Sequence, residues 1–213
     1  MKELESLKIS PEVKNILFNS NDKDLGILID MFYLVANLFV YSHFLRIIIN
    51  GGSFDIKNYA QYFICESCIK NLAIGLGVLF DREENSGKET GCRFLNSTFD
   101  EADKNNIFNE NSSIKFILFQ NKKGEVYEVY TKKLEIFRNK RYAHLDSDFH
   151  KLFDDSKVVK DDFDKIAELC GTIQSLCESI FNFNSNQRIV CDGLKNSREL
   201  LELYNSAGNI SYE

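Results

Sequence analysis

The stretch LGILIDMFYLVANLFVYSHFLRIII, residues 25–49, decides the fold. Its apolar side chains recur every three to four residues, which is the spacing of one face of an amphipathic α-helix. Polar residues 21–24 offer side chains that cap a helix start, and Asn50-Gly51-Gly52 suits a helix end. The stretch therefore predicts one long helix with both ends marked. Its apolar face consists of Leu28, Ile29, Phe32, Val35, Ala36, Phe39, Val40 and Ile47.

The rest of the chain predicts further helices of the same kind. Only 1 of the 213 residues is proline, so nearly every backbone amide can enter a helix. We predict an all-α fold, an antiparallel four-helix bundle with short extra helices, in one domain over residues 1–213. Its core would span about 25–183, with 184–213 as a C-terminal extension. The other predicted helices run from Ser53 or Asp55 to near Asp81, from about Val126 into the motif below, from near Lys160 through Phe181, and from Ser197 to Tyr204.

Two connecting segments are less regular. Residues 81–113 are polar and rich in asparagine, which predicts a loop with short helical turns around 94–99 and 102–108. Residues 114–130 contain FILF, NKKG and EVYEVY in succession, which fits a small hairpin. Because an isolated hairpin has little stability of its own, a helix beginning near Val126 is the preferred interpretation.

The start of the chain and its apolar stretches predict a cytoplasmic protein. The first residues, MKELESLKIS, lack the charged-then-apolar layout of a signal peptide, so we expect no export. Asp30, Asn37, His43 and Arg46 interrupt the long apolar stretch, which argues against a membrane span. For His43, on the apolar face, the expected role is that of a core histidine with satisfied hydrogen bonds.

Six cysteines are present, and Cys65 and Cys68 form a CxxC sequence inside a helical apolar pattern. A zinc module would need a second such pair or paired histidines. Disulfides would be reduced in the cytosol. We therefore expect thiols that pack as small buried apolar groups, and neither a metal nor another cofactor.

The charge of the chain is unevenly distributed. The net charge is −6, which argues against a protein that coats nucleic acid with its whole surface. Between Lys132 and Tyr142 there are five cations and one acid, a local charge of +4. This segment is either a local contact for RNA or an ordinary solvated helix face rich in lysine.

The run RNKRYAHLD, residues 138–146, stands at the end of the third predicted helix. Together with NLAIGLGVLFDR, residues 71–82, at the end of the second, it resembles the HEPN superfamily, and within it the AbiU-like branch linked to bacterial abortive infection. The resemblance extends from roughly Leu25 to Phe183. It implies a metal-independent endoribonuclease, usually homodimeric with the two motifs facing each other, that serves in phage defence or as a toxin.

Within this motif the resemblance implies catalytic roles for Arg138, Asn139 and His144. The chemistry agrees, because an imidazole with an ordinary pKa of about 6.5 can move a proton near neutral pH. A guanidinium stays charged and binds phosphate oxygens, and an amide can orient the phosphate or the histidine. The expected reaction is attack by the RNA's own 2′-OH, which leaves a 2′,3′-cyclic phosphate and a 5′-OH.

Neighbouring residues are expected to bind the RNA. The cations would guide its backbone, and Tyr142 would pack the helix end or stack on a base. Asp146 would orient His144 or cap the next turn. The expected substrate-binding set is Lys132, Lys133, Lys140, Arg141 and Tyr142.

Arg138 and His144 do not share one face of a regular helix. Six positions apart, they are rotated by about 120° around the axis. The end of the helix or a second protomer must bring them together. We therefore predict a homodimer with the motif-bearing helix ends at or beside the interface.

Two other functions stay open. His144, Asp146, Asp148 and His150 alternate, and in an extended segment they would face one side and bind a divalent metal for hydrolysis. Alternatively, a HEPN-like module would bind RNA or a partner protein without cutting. The expected partners are RNA, a second copy of the chain and an antitoxin or other defence protein, without a membrane. Some HEPN toxins are silenced at a tyrosine just beyond the motif histidine; Leu145 and Asp146 stand there, which argues against that control.

Overall fold

The computed structural model describes residues 9–50, 53–54, 56–80, 91–139, 157–184 and 192–208. Within these ranges the regular structure is helical apart from one pair of two-residue strands, so the predicted all-α class is confirmed. The helices are α1 (Pro11–Phe18), α2 (Asp22–Ile48), α3 (Tyr59–Phe80), α4 (Gly91–Lys104), α5 (Glu110–Val129), a π-helical turn (Tyr130–Leu134), α6 (Glu135–Asn139), α7 (Lys160–Phe181) and α8 (Gly193–Gly208). The strands β1 (Ile49–Asn50) and β2 (Ser53–Phe54) pair antiparallel.

The long helix α2 follows the predicted course. Its start is capped by Asn21, whose side chain accepts a hydrogen bond 3.0 Å long from the Lys23 N–H. Asp22 and Asp24 place negative charge in the first turn, where the helix dipole is positive. The helix ends at Ile48, and the chain passes directly into β1.

The predicted start of the second long helix is wrong. Ser53 and Phe54 belong to β2, and α3 begins only at Tyr59. Asn58 caps this start, because its side-chain oxygen accepts a hydrogen bond 3.0 Å long from the Gln61 N–H. The backbone pairing with β1 therefore replaces the first turn that the sequence predicts.

The helix α2 is central in the packing of the chain. It packs against α3, α7 and α8, while α5 packs on α7 and α6 packs on α3. Apolar side chains from these helices form one shared core, which gives the chain the character of a helical bundle. Its fully buried members include Leu28, Phe44 and Leu45 of α2, Ile69, Leu72 and Leu76 of α3, Phe119 and Val126 of α5, and Phe163, Ile166 and Cys177 of α7.

The possible hairpin at residues 114–130 is wrong, and so is a helix that begins only at Val126. The segment belongs to α5, which begins at Glu110 after a cap from Asn109 to the Ser112 N–H, 3.0 Å long. Burial of Phe119 and Val126, two turns apart, fixes the helix on the core. The NKKG sequence that suggested a turn, residues 121–124, lies within this helix, with Asn121 and Gly124 exposed.

Three other helices differ from the expectation. α4 is one continuous helix in place of two short turns, since Leu95, Phe99 and Ala102 form a single buried face. The short helix α1 was not predicted; Ser10 caps it, and Pro11 occupies its first position. α8 extends over Gly193–Gly208, beyond the predicted segment on both sides.

Two of these helices are long and apolar enough, by length and composition alone, to cross a membrane. They are α2, where 33% of the apolar window is buried inside the protein, and α3, where 61% is buried. Core helices of soluble proteins meet the same two criteria. In α3 more than half of the apolar window is buried by the rest of the protein.

Four of the cysteines behave as the sequence predicts. Cys65 and Cys68 are buried, and burial raises the pKa of each thiol to about 12. Cys170 and Cys177 are buried in α7, where burial also raises the pKa. At neutral pH these thiols stay protonated, which keeps them unreactive. Among the described residues, no group of three or more His, Cys, Asp and Glu side chains is placed to hold a metal ion.

Candidate functional site

The described part of the chain reaches the first two residues of the motif. Arg138 and the backbone of Asn139 form the end of α6, and Lys132 and Lys133 lie in the π-turn just before it. The remaining predicted site residues lie outside the described residues, together with the alternating residues of the alternative metal site. These are Lys140, Arg141, Tyr142, His144, Asp146, Asp148 and His150.

A π-turn joins α5 to the motif, and sequence reasoning missed it. Within this turn the Glu135 N–H donates to the Tyr130 carbonyl, five residues earlier, where an α-helix would bond four residues earlier. Tyr130 and Leu134 are buried at the two ends of the turn. π-turns of this kind are frequent at functional sites because they shift the residues that follow around the helix axis.

The shift places Arg138 over Tyr130. On a regular helix these two positions, eight apart, would differ by roughly 80° around the axis. The π-turn holds one more residue than an α-helical turn, which reduces this rotation. The Arg138 Cζ lies 5.9 Å from the centre of the Tyr130 ring. This distance is within the range of a cation–π interaction.

Gly77 of α3 forms the other side of the Arg138 position. A Cβ atom at Gly77 would lie 2.9 Å from Nη1 and 3.2 Å from Cδ of Arg138, and 3.1 Å from the Tyr130 hydroxyl oxygen. Such separations are shorter than ordinary packing distances, so a Cβ atom here would force the end of the Arg138 side chain to shift. This glycine belongs to the NLAIGLGVLFDR segment, and its lack of a side chain was the signal that could have found it.

Arg138 keeps part of its surface in contact with solvent. Its side chain is 30% exposed, and Nη2 lies 3.7 Å from the Glu135 carboxylate one turn earlier. That separation is longer than a hydrogen bond. The Arg138 side chain is thus enclosed between α3 and the π-turn and stays partly exposed.

Tyr130 supports this cation as a neutral ring. Burial, with smaller contributions from Glu135 and Tyr127, raises the pKa of its phenol to about 12. The ring stacks on Phe80 of α3, with ring centres 6.3 Å apart. A neutral aromatic face attracts a cation through its quadrupole, so this ring supports the Arg138 charge across the neutral pH range.

Lys132 and Lys133 occupy different surroundings. Lys132 bonds to Glu128 one turn earlier, and the two side chains are 68% and 61% exposed. Lys133 Nζ lies 2.7 Å from Oδ2 of Asp162, whose side chain is only 4% exposed. The same carboxylate oxygen accepts the Val159 N–H, 2.8 Å away, at the start of α7. Lys133 therefore links the π-turn to α7, whereas Lys132 faces solvent.

His43 does not occupy the core position that the sequence predicts for it. It is half-buried at the wall of a groove of about 610 Å³ between α2, α5, α7 and α8, not in the core. Its ring stacks on Phe39, with centres 5.8 Å apart and planes 4° from parallel. Burial, and then Arg46, lower the pKa of His43, although Asp164 acts in the opposite direction. The groove has different lining residues from the surroundings of Arg138.

Comparisons of the chain with protein-family models, curated proteins and solved structures found no match. A function for this chain must therefore be inferred from its own residues and from the resemblance of its motif.

Proposed function

We propose that this protein is a metal-independent endoribonuclease of the HEPN type. The observation that carries the proposal is the placement of Arg138, which is half-buried between Gly77 and Tyr130 at the start of the RNKRYAHLD motif. A guanidinium held in this way needs little reorganisation to stabilise the charge that develops on a phosphate. An arginine on an ordinary solvated helix face would not be enclosed by a glycine and a buried aromatic ring.

In the proposed reaction the 2′-oxygen of the RNA attacks the adjacent phosphorus, and the bond to the 5′-oxygen breaks. His144 takes the proton from the 2′-OH or delivers one to the leaving 5′-oxygen. Arg138 binds the non-bridging oxygens, and Asn139 orients the phosphate or His144. In the proposed two-fold homodimer, the second proton transfer falls to His144 of the partner motif.

The structure supports a division among the cations proposed to bind RNA. Lys132 is exposed and suited to contact a phosphate, and Lys140 and Arg141 follow it along the chain. Lys133 is already paired with the buried Asp162, so its main role in this proposal is to hold the π-turn on α7. In the same proposal Tyr142 stacks on a base and Asp146 orients His144.

The arrangement of the helices as a HEPN-like bundle is part of the same proposal. We assign α2, α3, the continuous run α5 to α6, and α7 as the four helices of an antiparallel HEPN-like bundle. The protein would act in the cytoplasm, in phage defence or as a toxin, with an antitoxin or another defence protein as its regulator. No metal or other cofactor takes part.

The proposal is tested by incubating the purified protein with mixed RNA in the presence of EDTA. We expect cleavage, with 2′,3′-cyclic phosphate and 5′-OH ends, because the attacking group belongs to the RNA. Cleavage that EDTA abolishes would instead support a metal site built from His144, Asp146, Asp148 and His150. Binding of RNA without any cleavage would support the non-catalytic module.

A further inference from the structure

We infer that Gly77 and Tyr130 are positioning residues that hold the Arg138 guanidinium at the angle at which it meets the phosphate. The inference deepens the proposed ribonuclease function and rests on it for the identity of the substrate. Neither residue is expected to touch the RNA; each acts through Arg138.

Gly77 limits the position of the guanidinium sterically. The Arg138 side chain crosses the surface of α3 at Gly77, and a methyl group there would lie 2.9 Å from Nη1 and 3.2 Å from Cδ. The shortest contact is to the functional end of the side chain. A larger residue at 77 would therefore displace the guanidinium itself and leave α6 in place.

The π-turn sets Arg138 against the ring of Tyr130. Because the turn widens at Tyr130–Leu134, Arg138 stands over the Tyr130 ring, with Cζ 5.9 Å from its centre. Tyr130 is only 1% exposed and stacks on Phe80, so the ring is a fixed support. A cation over a buried ring is favoured more strongly than one over an exposed ring. The ring and Gly77 together limit the guanidinium from two sides.

The carboxylate nearest to Arg138 among the described residues does not hold the guanidinium. Glu135 is the described acid paired with Arg138, and its Oε1 lies 3.7 Å from Nη2, beyond hydrogen-bond range. The two side chains are 30% and 36% exposed, so water screens their attraction. Glu135 can therefore balance part of the charge without holding the guanidinium in a two-bond fork. The contacts with Gly77 and the Tyr130 ring therefore act on a guanidinium that Glu135 does not fix.

The test compares Gly77→Ala with Gly75→Ala. Both glycines lie in α3, and both substitutions add one methyl group and favour the helix equally. A methyl at 75 would meet the Leu38 side chain at 2.5 Å, a closer contact than any at 77, and no atom of Arg138 is among its nearest neighbours. We expect Gly77→Ala to lower kcat roughly 10- to 100-fold with little change in KM, as for a misplaced catalytic group, while Gly75→Ala keeps the parent kcat.

A second readout needs no activity. The rate at which phenylglyoxal modifies Arg138, measured by mass spectrometry, reports how well the guanidinium is shielded. We expect a severalfold faster rate in Gly77→Ala than in the parent or in Gly75→Ala. Arg46, which pairs with Asp164 at 2.6 Å, serves as the internal standard and should react equally in all three proteins.

The outcomes separate the two proposals. If the parent protein cuts no RNA but Arg138 reacts faster in Gly77→Ala, the ribonuclease function is wrong and the positioning stands. If Gly77→Ala cuts as fast as the parent, or if Gly75→Ala loses as much kcat, the positioning is wrong. Should Gly77→Ala not fold, Tyr130→Leu replaces it, because it removes the ring but keeps an apolar side chain. We expect the same lower kcat and the same faster modification of Arg138 in this variant. An unchanged rate of Arg138 modification would overturn the inference.

Discussion

The Arg138 guanidinium carbon lies 5.9 Å from the centre of the Tyr130 ring, although the two residues, eight apart, would be rotated by about 80° from each other on a regular helix. The π-turn between them makes the contact, and Gly77 of the neighbouring helix leaves the space for it. A local irregularity of the backbone thus sets the direction of the residue on which the proposed function depends.

The two lysines of the π-turn should respond differently to replacement by glutamine. Lys132→Gln should weaken RNA binding and lower the salt dependence by about one phosphate contact, with unchanged stability. Lys133→Gln should lower the free energy of unfolding by about 1–3 kcal/mol, because the buried Asp162 loses its cation. Urea unfolding and RNA fluorescence anisotropy at several salt concentrations measure the two effects. The assignment is wrong if Lys133→Gln weakens RNA binding while stability stays unchanged.

Part of this architecture is readable from sequence, and the reason lies in local patterns. The regular apolar spacing of α2 predicts its course, since Leu28, Phe32 and Val35 of the predicted face all reach the core, although Ile47 is 45% exposed. In α5 the same spacing is blurred, because Ile117 and Leu118 are apolar yet 60% and 41% exposed. Because apolar residues occur on both faces of α5, the contrast between an apolar and a polar face that indicates a helix is missing. The polar NKKG sequence then resembles a turn.

The candidate site is less predictable, because its decisive contacts connect distant segments. The RNKRYAHLD motif marks Arg138, but the meaning of Gly77 appears only when α3 packs beside α6. In the sequence Lys133 is one of several cations in a basic segment, and its pairing with Asp162 appears only in the folded chain. The π-turn lies between the buried Tyr130 and Leu134, where an apolar period of 3.6 residues predicts an ordinary α-helix.

Replacement of Gly124 by alanine should stabilise the protein. Gly124 lies in the exposed part of α5, and a Cβ atom there would have nothing within 4 Å. Alanine favours a helix over glycine, so we expect a gain of about 0.5–1 kcal/mol in the free energy of unfolding. Gly26→Ala in α2, which is also free of neighbours within 4 Å, is the matched control. A loss of stability in Gly124→Ala would instead indicate a turn.

His43 should make stability depend on pH in the acidic range. Burial, and then Arg46, lower its pKa below the ordinary value of 6.5, so the unfolded chain binds the proton more readily. The contribution of neutral His43 to the free energy of unfolding is therefore present above pH 6.5. It is lost as the pH falls toward the lowered pKa of His43 in the folded protein. His43→Phe keeps a ring to stack on Phe39 but does not titrate. In urea unfolding, the variant should lose less stability than the parent between neutral and acidic pH; equal losses would contradict the assignment.

The most direct test of the proposed ribonuclease is a cleavage time course on one labelled RNA in EDTA, comparing the parent with His144→Ala. A lost general acid or base should slow cleavage about 10²- to 10⁴-fold, while matched circular dichroism spectra show the parent's helix content. Arg138→Ala should give a comparable loss, and the double variant should lose far less than the product of the two single effects. Cleavage by His144→Ala at the parent's rate would contradict the proposed function.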